Sequence, residues 1–221
     1  ILDRALELGI DVVDTAEIYS VPTRRETYGA TETIIGNWFA RRPGVRQRVV
    51  LATKVAGPSR NMDWVRNGST NLTPAEIAQA CDASLKRLQT DVIDVYYTHK
   101  LDAHTPWEST VMAFGDLIRQ GKIREWGLSN VRAWHIPHIW HLCRQMGVPP
   151  PTVLQPYYNL MNRQPEVELI PAARAFGQGV VPYSPIARGI LTGKYALNTT
   201  PEAGSRAARG DKRMMETEWR P

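Results

Sequence analysis

Cysteine is scarce in this chain, with two in 221 residues, Cys81 and Cys143. No CxxC pair and no Cys/His spacing of a structural zinc site occurs, which argues against a disulfide framework or a redox dithiol. Two buried free thiols in a reducing cytoplasm are the expectation. No apolar run reaches the ~18 residues that a membrane span needs. No charged, then apolar, then small-residue leader opens the chain. Excess positive charge is modest, at 27 Lys+Arg against 22 Asp+Glu and a net charge of +5. Apart from a basic tail (Arg206, Arg209, Lys212, Arg213) it is scattered and does not alternate with aromatics, which argues against nucleic acid as a partner. What remains is an ordinary globular composition, 43% hydrophobic and 22% charged, long enough for one domain with a large core.

Apolar and amphipathic stretches alternate along the whole chain. Strands are predicted at Asp11–Ala16, Val49–Lys54, Val92–Thr98, Ile123–Leu128, Thr152–Gln155 and Val180–Tyr183. Helices are predicted over Thr31–Arg41, from Thr73 to about Leu88, Pro106–Gln120, near Pro137 to Gly147, and Glu166–Phe176. Thr73 reads as an N-cap, with Pro74 at the first helical position and Glu76 three residues after the cap. Gly121 reads as a C-terminal stop. The tail after Gly193 reads as loop with at most a short helix.

Strand–helix alternation with short connections implies a parallel sheet. No turn carries GxGxxG or GxxxxGK[ST], the phosphate loops of open nucleotide-binding sheets. A closed (β/α)8 TIM barrel is therefore favoured over an open doubly wound sheet. A barrel of this kind usually needs about 250 residues, and Ile1–Leu8 already reads as a helix. The expectation is a single barrel domain over residues 1–221, incomplete at both ends, with one strand before Ile1 and another βα unit after Pro221.

In such barrels the working side chains project from the C-terminal strand ends. Here those ends carry Asp14 and nearby Tyr19, then Lys54, His99, Ser129–Asn130, Gln155, and Tyr183–Ser184. Lys54 closes an apolar strand, where an unpaired charge is costly, and Asp14 one strand over is its natural partner. Taken alone, the pair is as well explained by an ion pair at the barrel rim. Tyr19 adds chemistry: an adjacent ammonium is expected to lower the phenol's pKa from ~10 and make it a usable general acid. His99, more often a packed residue in any fold, is placed to orient a substrate oxygen. Ser129, Asn130 and Gln155 offer amides and hydroxyls to a flat polar ligand, although Asn130 is also a good N-cap candidate. Tyr183 could stack on an aromatic ring. The series His135, His138, His141 has a spacing that walks around a helix, so a partly exposed helix face is preferred over metal binding.

Seven strings occur in order: DVVDTAEIY (11–19), ATETIIGNW (30–38), VVLATKV (49–55), SLKRLQTDVIDVYYTH (84–99), GKIREWGLSN (121–130), VLQPYYNLMNR (153–163) and VPYSPIARGILTGKY (181–195). Together they resemble the aldo-keto reductase superfamily over essentially the whole chain. The Tyr19 loop and GPSRN after Ala56 are similar to its Tas-like branch, which is related to potassium-channel β subunits. The resemblance implies a (β/α)8 barrel in the cytoplasm that reduces aldehyde and ketone carbonyls of small molecules with NADPH (NADP+) and no metal. It leaves open a homo-oligomer and an alternative role as an NADPH-binding regulatory protein with little turnover. A third class, a phosphate-substrate barrel isomerase, gains no support from the Tyr–Lys pair.

The resemblance also implies site residues. The catalytic tetrad would be Asp14, Tyr19, Lys54 and His99. Carboxamide contacts would be Ser129, Asn130 and Gln155, with Tyr183 stacking. A cofactor belt would comprise Ser184, Pro185, Ile186, Leu191 and Lys194, the last on the pyrophosphate. Ser205 and Arg206 would approach the adenosine 2′-phosphate, where a guanidinium suits the group. The family's first strand and its last βα unit, with a phosphate loop, have no counterpart here. The loop between Lys54 and Thr73, with Trp64, is expected to wall the substrate pocket.

Overall fold

A computed structural model describes residues 1–59, 62–196 and 199–219. Arg60 and Asn61 of the GPSRN string, and Leu197 and Asn198 of the tail, lie outside the described residues. Six strands, β1 (Val12–Asp14), β2 (Val50–Val55), β3 (Ile93–Thr98), β4 (Ile123–Ser129), β5 (Val153–Gln155) and β6 (Gly179–Val180), form one sheet in chain order. Every neighbouring pair is parallel. Helix α1 (Leu2–Glu7) precedes β1, and α2 (Ala30–Arg41), α3 (Pro74–Leu88), α4 (Trp107–Arg119), α5 (His135–Met146) and α6 (Leu169–Ala175) fill the crossovers; α7 (Lys212–Thr217) follows β6. Six βα repeats thus stand as the sequence orders them. Among the described residues β1 and β6 are the sheet's two edges.

Alternation along the strands sorts side chains to two faces. Tyr96 and Trp126 are register partners that turn toward the helices. There the Phe114 ring of α4 stacks on Trp126 at 4.7 Å and lies 5.7 Å from Tyr96. Leu51, Ile77, Leu88, Ile93, Leu117, Ile139 and Leu154 complete this core. Where α2 crosses α3 the helices come close enough that a Cβ on Gly36 would collide with the Arg87 carbonyl oxygen. Lys54, Tyr97 and Gly127, also register partners, leave the sheet on the opposite face.

Local chemistry sets the element ends. Thr73 caps α3 through the Glu76 amide (3.4 Å) and donates its hydroxyl to the Glu76 carboxylate (2.7 Å), a capping box with Pro74 in the first turn. Gly121 adopts φ +70° directly after the Gln120 cap of α4, as a stop residue should. Helix α5 begins at His135, earlier than Pro137 suggests, so that the proline falls in a first turn whose N–H groups need no intrahelical partner. The same reasoning starts α6 at Leu169, with Pro171 in its first turn. Strand six shrinks to two residues because Pro182 has no N–H to give the ladder; Tyr183 keeps only an isolated bridge to Tyr157. Both cysteines are buried, and burial pushes each thiol up to about 12. No described helix is long and apolar enough to cross a membrane.

Candidate active site

The C-terminal ends of the strands bring Asp14, Tyr19, Lys54 and His99 together. Lys54 is fully buried. Its Nζ donates to Asp14 Oδ2 at 2.6 Å and to the Thr15 carbonyl at 2.7 Å. The same ammonium lies 5.4 Å from the centroid of the Tyr19 ring, and the His99 ring meets Tyr19 edge-on at 5.7 Å. His99 Nδ1 is buried without a hydrogen-bond partner among the described residues.

Electrostatics overturn one expectation. The net shift of Tyr19 is upward, not downward. Burial, reinforced by the Asp14 carboxylate, pushes the phenol up to about 12. The lysine charge is directed to Asp14 and Thr15, while the ring of Tyr19 sits in an apolar pocket with Ala16, Ile18 and Ala56. Burial also lowers the Lys54 ammonium against the opposing pull of Asp14. His99 falls to about 3, first through burial and then through the positive charges of Lys54, Lys100 and Arg213. At neutral pH the site therefore holds a protonated phenol and a neutral imidazole.

A second cluster adjoins the first. Ser129 Oγ donates to the Gln155 carbonyl at 2.9 Å, and Gln155 Nε2 donates to Asp14 Oδ1 at 3.2 Å. Asn130 Nδ2 donates to the His99 carbonyl at 2.9 Å and to Ser129 Oγ at 3.0 Å, while Tyr183 donates its hydroxyl to Asn130 Oδ1 at 2.8 Å. Asn130 is not a helix cap. Its φ of 57° is left-handed, a conformation that Asn tolerates, and α5 starts five residues later.

Ser184 (φ 56°) begins an exposed turn that carries Pro185, Ile186 and Leu191; its carbonyl accepts from Asn159 Nδ2 at 3.0 Å. Lys194 folds back over Gly189 and lies 5.1 Å above the Tyr195 ring. Ser205 Oγ accepts from the Ala208 amide at 3.2 Å, and Arg206 faces Asp211 at 3.8 Å. Among the described contacts, none joins Ser205 or Arg206 to the tetrad. The histidine series divides: His135 is buried, stacked on Trp134 at 3.7 Å and bonded to the Arg132 amide, whereas His138 and His141 are exposed.

Sequence reasoning missed the charged pairs that brace the site. Glu17, two residues before Tyr19, is fully buried. It pairs with Arg66 and accepts from the Ala56 amide (2.5 Å) and the Tyr28 hydroxyl (3.0 Å). Arg66 Nη2 in turn donates to the Ala56 carbonyl at 3.1 Å. This ties the loop after β2 to the loop after β1 and sets Trp64 edge-on to Tyr28 at 5.5 Å. Glu32, also fully buried, accepts from Thr53 (2.6 Å) and Arg87 (2.6 Å). Across the site, buried Glu218 at the end of α7 accepts from Tyr157 (2.7 Å) and Arg188 (2.9 Å), and the Tyr157 ring stacks on Tyr183 at 5.4 Å. A carboxylate inside an apolar string such as DTAEIY was the available signal, because burial obliges it to find a cation.

The model of the aldo/keto reductase family matches residues 1–219. The chain is 40% identical over 209 residues to an uncharacterized oxidoreductase of Bacillus subtilis, YrpG, with 95% of this chain and 62% of that relative covered. It is 38% identical over 222 residues to protein Tas of Escherichia coli, covering 93% of this chain and 64% of Tas. A human aflatoxin B1 aldehyde reductase, member 4, is 40% identical over 190 residues, 86% of this chain and 53% of the relative. The chain belongs to the aldo/keto reductase family. It spans less than two thirds of the length of these curated relatives.

Proposed function

We propose that this protein is an NADPH-dependent oxidoreductase of a (β/α)8 barrel that reduces aldehyde or ketone carbonyls of small molecules. The observation that supports it is the convergence of Asp14, Lys54, Tyr19 and His99 within one set of contacts. The nicotinamide, when bound, supplies hydride to the carbonyl carbon. The protein's part is positioning and a proton. Tyr19, with its pKa pushed up to about 12, keeps its proton at neutral pH and donates a hydrogen bond to the carbonyl oxygen. As that oxygen becomes an alkoxide, about as basic as hydroxide, the conjugate base of water (pKa ~15.7), transfer from the phenol runs downhill. The Lys54 ammonium then stabilises the phenolate that is left, and Asp14 holds the lysine in place. Neutral His99 donates its ring N–H to the same oxygen and orients it.

The second cluster fits a carboxamide beside an aromatic ring: Ser129, Asn130 and Gln155 supply matched donors and acceptors, and Tyr183 supplies a stacking face. Asn130 Oδ1 would exchange the Tyr183 hydroxyl for the amide. Ser184, Pro185, Ile186, Leu191 and Lys194 would form the belt along the pyrophosphate. Arg206, itself exposed and 3.8 Å from half-buried Asp211, would give up that loose pair at little cost and with Ser205 hold a 2′-phosphate.

The test is NADPH oxidation, followed at the nicotinamide absorbance band, with a panel of aldehydes and ketones. Tyr19→Phe is expected to remove most turnover while NADPH affinity stays close to the parent's. A variant that reduces the panel at the parental rate sinks the assignment. One NADPH oxidised per chain with no further turnover would point instead to a cofactor-sensing protein.

A further inference from the structure

Lys54, Tyr97 and Gly127 are register partners on three adjacent strands, so their side chains leave the sheet on one face at one height. Gly127 contributes no side chain, and the Tyr97 ring occupies the space above it. A Cβ on Gly127 would stand 2.5 Å from Tyr97 Cε1 and 2.6 Å from Cδ1. The ring accommodated in this way lies beneath the Lys54 ammonium, with Nζ 5.7 Å from its centroid. The same Nζ is 5.4 Å from the Tyr19 centroid.

Two of the three ammonium protons are committed, to Asp14 and to the Thr15 carbonyl. Beside the charge stand the Tyr19 and Tyr97 rings, and the Glu32 carboxylate and the His99 imidazole also feel it. Lys54 has no exposed surface and Tyr97 almost none. In such a dry setting the negative face of an aromatic ring is a substantial stabiliser of a cation. The Asp14 partner, by contrast, has a side chain 35% exposed to solvent and therefore screened.

We infer that Tyr97 is a positioning residue for Lys54: its ring face, admitted by the absence of a side chain at Gly127, holds the ammonium charged and aimed between Asp14 and Tyr19. The inference rests on the proposed part of Lys54 beside Tyr19. It assigns the work to the ring face, not to the Tyr97 hydroxyl, so Phe should substitute for Tyr and an aliphatic residue should not. Gly127→Ala would crowd both the ring and the Val153 carbonyl oxygen, 2.8 Å away, so the ring is varied at Tyr97 itself.

The experiment follows the Lys54 13Cε chemical shift with pH in protein carrying 13C-lysine, the signal being assigned with Lys54→Met. Parent and Tyr97→Phe should titrate together. Tyr97→Leu should titrate about one pH unit lower, since a desolvated cation–π contact supports a shift of that order. Tyr97→Met serves if the leucine variant does not fold. In parallel, NADPH oxidation with 4-nitrobenzaldehyde should show the alkaline limb of kcat moved down by the same interval in Tyr97→Leu, with KM for NADPH unchanged. If leucine and methionine leave the Lys54 titration where it was, or phenylalanine moves it as far as leucine does, the inference is overturned. Should Tyr19→Phe keep full turnover while Tyr97→Leu still moves Lys54, the enzymatic reading fails and the placement of Lys54 by Tyr97 stands.

Discussion

Acid should destabilise this fold through His99, and the size of the effect can be worked out. An imidazole free in the unfolded chain titrates near 6.5; in the folded site burial and neighbouring cations hold His99 at about 3. Between those values the unfolded chain binds a proton that the folded chain refuses. Stability therefore rises with pH across the window and is lost as pH falls from 6.5 toward 3. At pH 8 both states are neutral and the residue contributes nothing to the slope. At pH 5 protonation of the free imidazole favours the unfolded state by about 2 kcal/mol. Urea unfolding at pH 8, 7, 6 and 5 measures it, with His99→Gln as the reference that cannot take the proton. His135 shifts in the same direction but is present in both proteins and cancels. The parent should lose about 2 kcal/mol more than the variant between pH 8 and pH 5. Equal losses would refute a half-buried, neutral His99 and with it the orienting role.

Two further outcomes follow from the packing. Arg66→Ala leaves Glu17 buried with its charge uncompensated and should cost about 3–5 kcal/mol of unfolding free energy, read by urea denaturation; a loss under about 1 kcal/mol would show that the pair is not buried as described. Gly36→Ala forces α2 away from the Arg87 carbonyl and should lower stability by about 1–3 kcal/mol, measured by the thermal midpoint, and a neutral result would contradict the close crossing of α2 and α3.

Much of this architecture was legible in the sequence because it rests on local signals. The alternation of apolar and amphipathic runs set the order of the six strands, and Thr73–Pro74–Glu76 marked a helix start. Lys54 at the end of an apolar strand called for a carboxylate, and Asp14 supplied it. What escaped depends on distance in the chain and on burial. Glu17 and Arg66 are 49 residues apart, and Glu32 and Arg87 are 55 apart, so no spacing rule links them. Tyr19 shows the other limit: counting the nearest cation gave the wrong sign, because desolvation and the Asp14 carboxylate together outweigh the pull of positive charge. Asn130 looked like a cap because Asn favours both caps and left-handed turns, and only the backbone decides between them.

The in-order sheet has a consequence for how the polypeptide is made. Among the described residues each strand from β2 to β5 hydrogen-bonds to the one synthesised just before it and to the one synthesised just after it. None of these six strands has to be wedged between two that are already joined. A chain emerging from the ribosome can therefore grow this part of the sheet by addition at a single advancing border, each crossover helix being made just before the strand that pairs next.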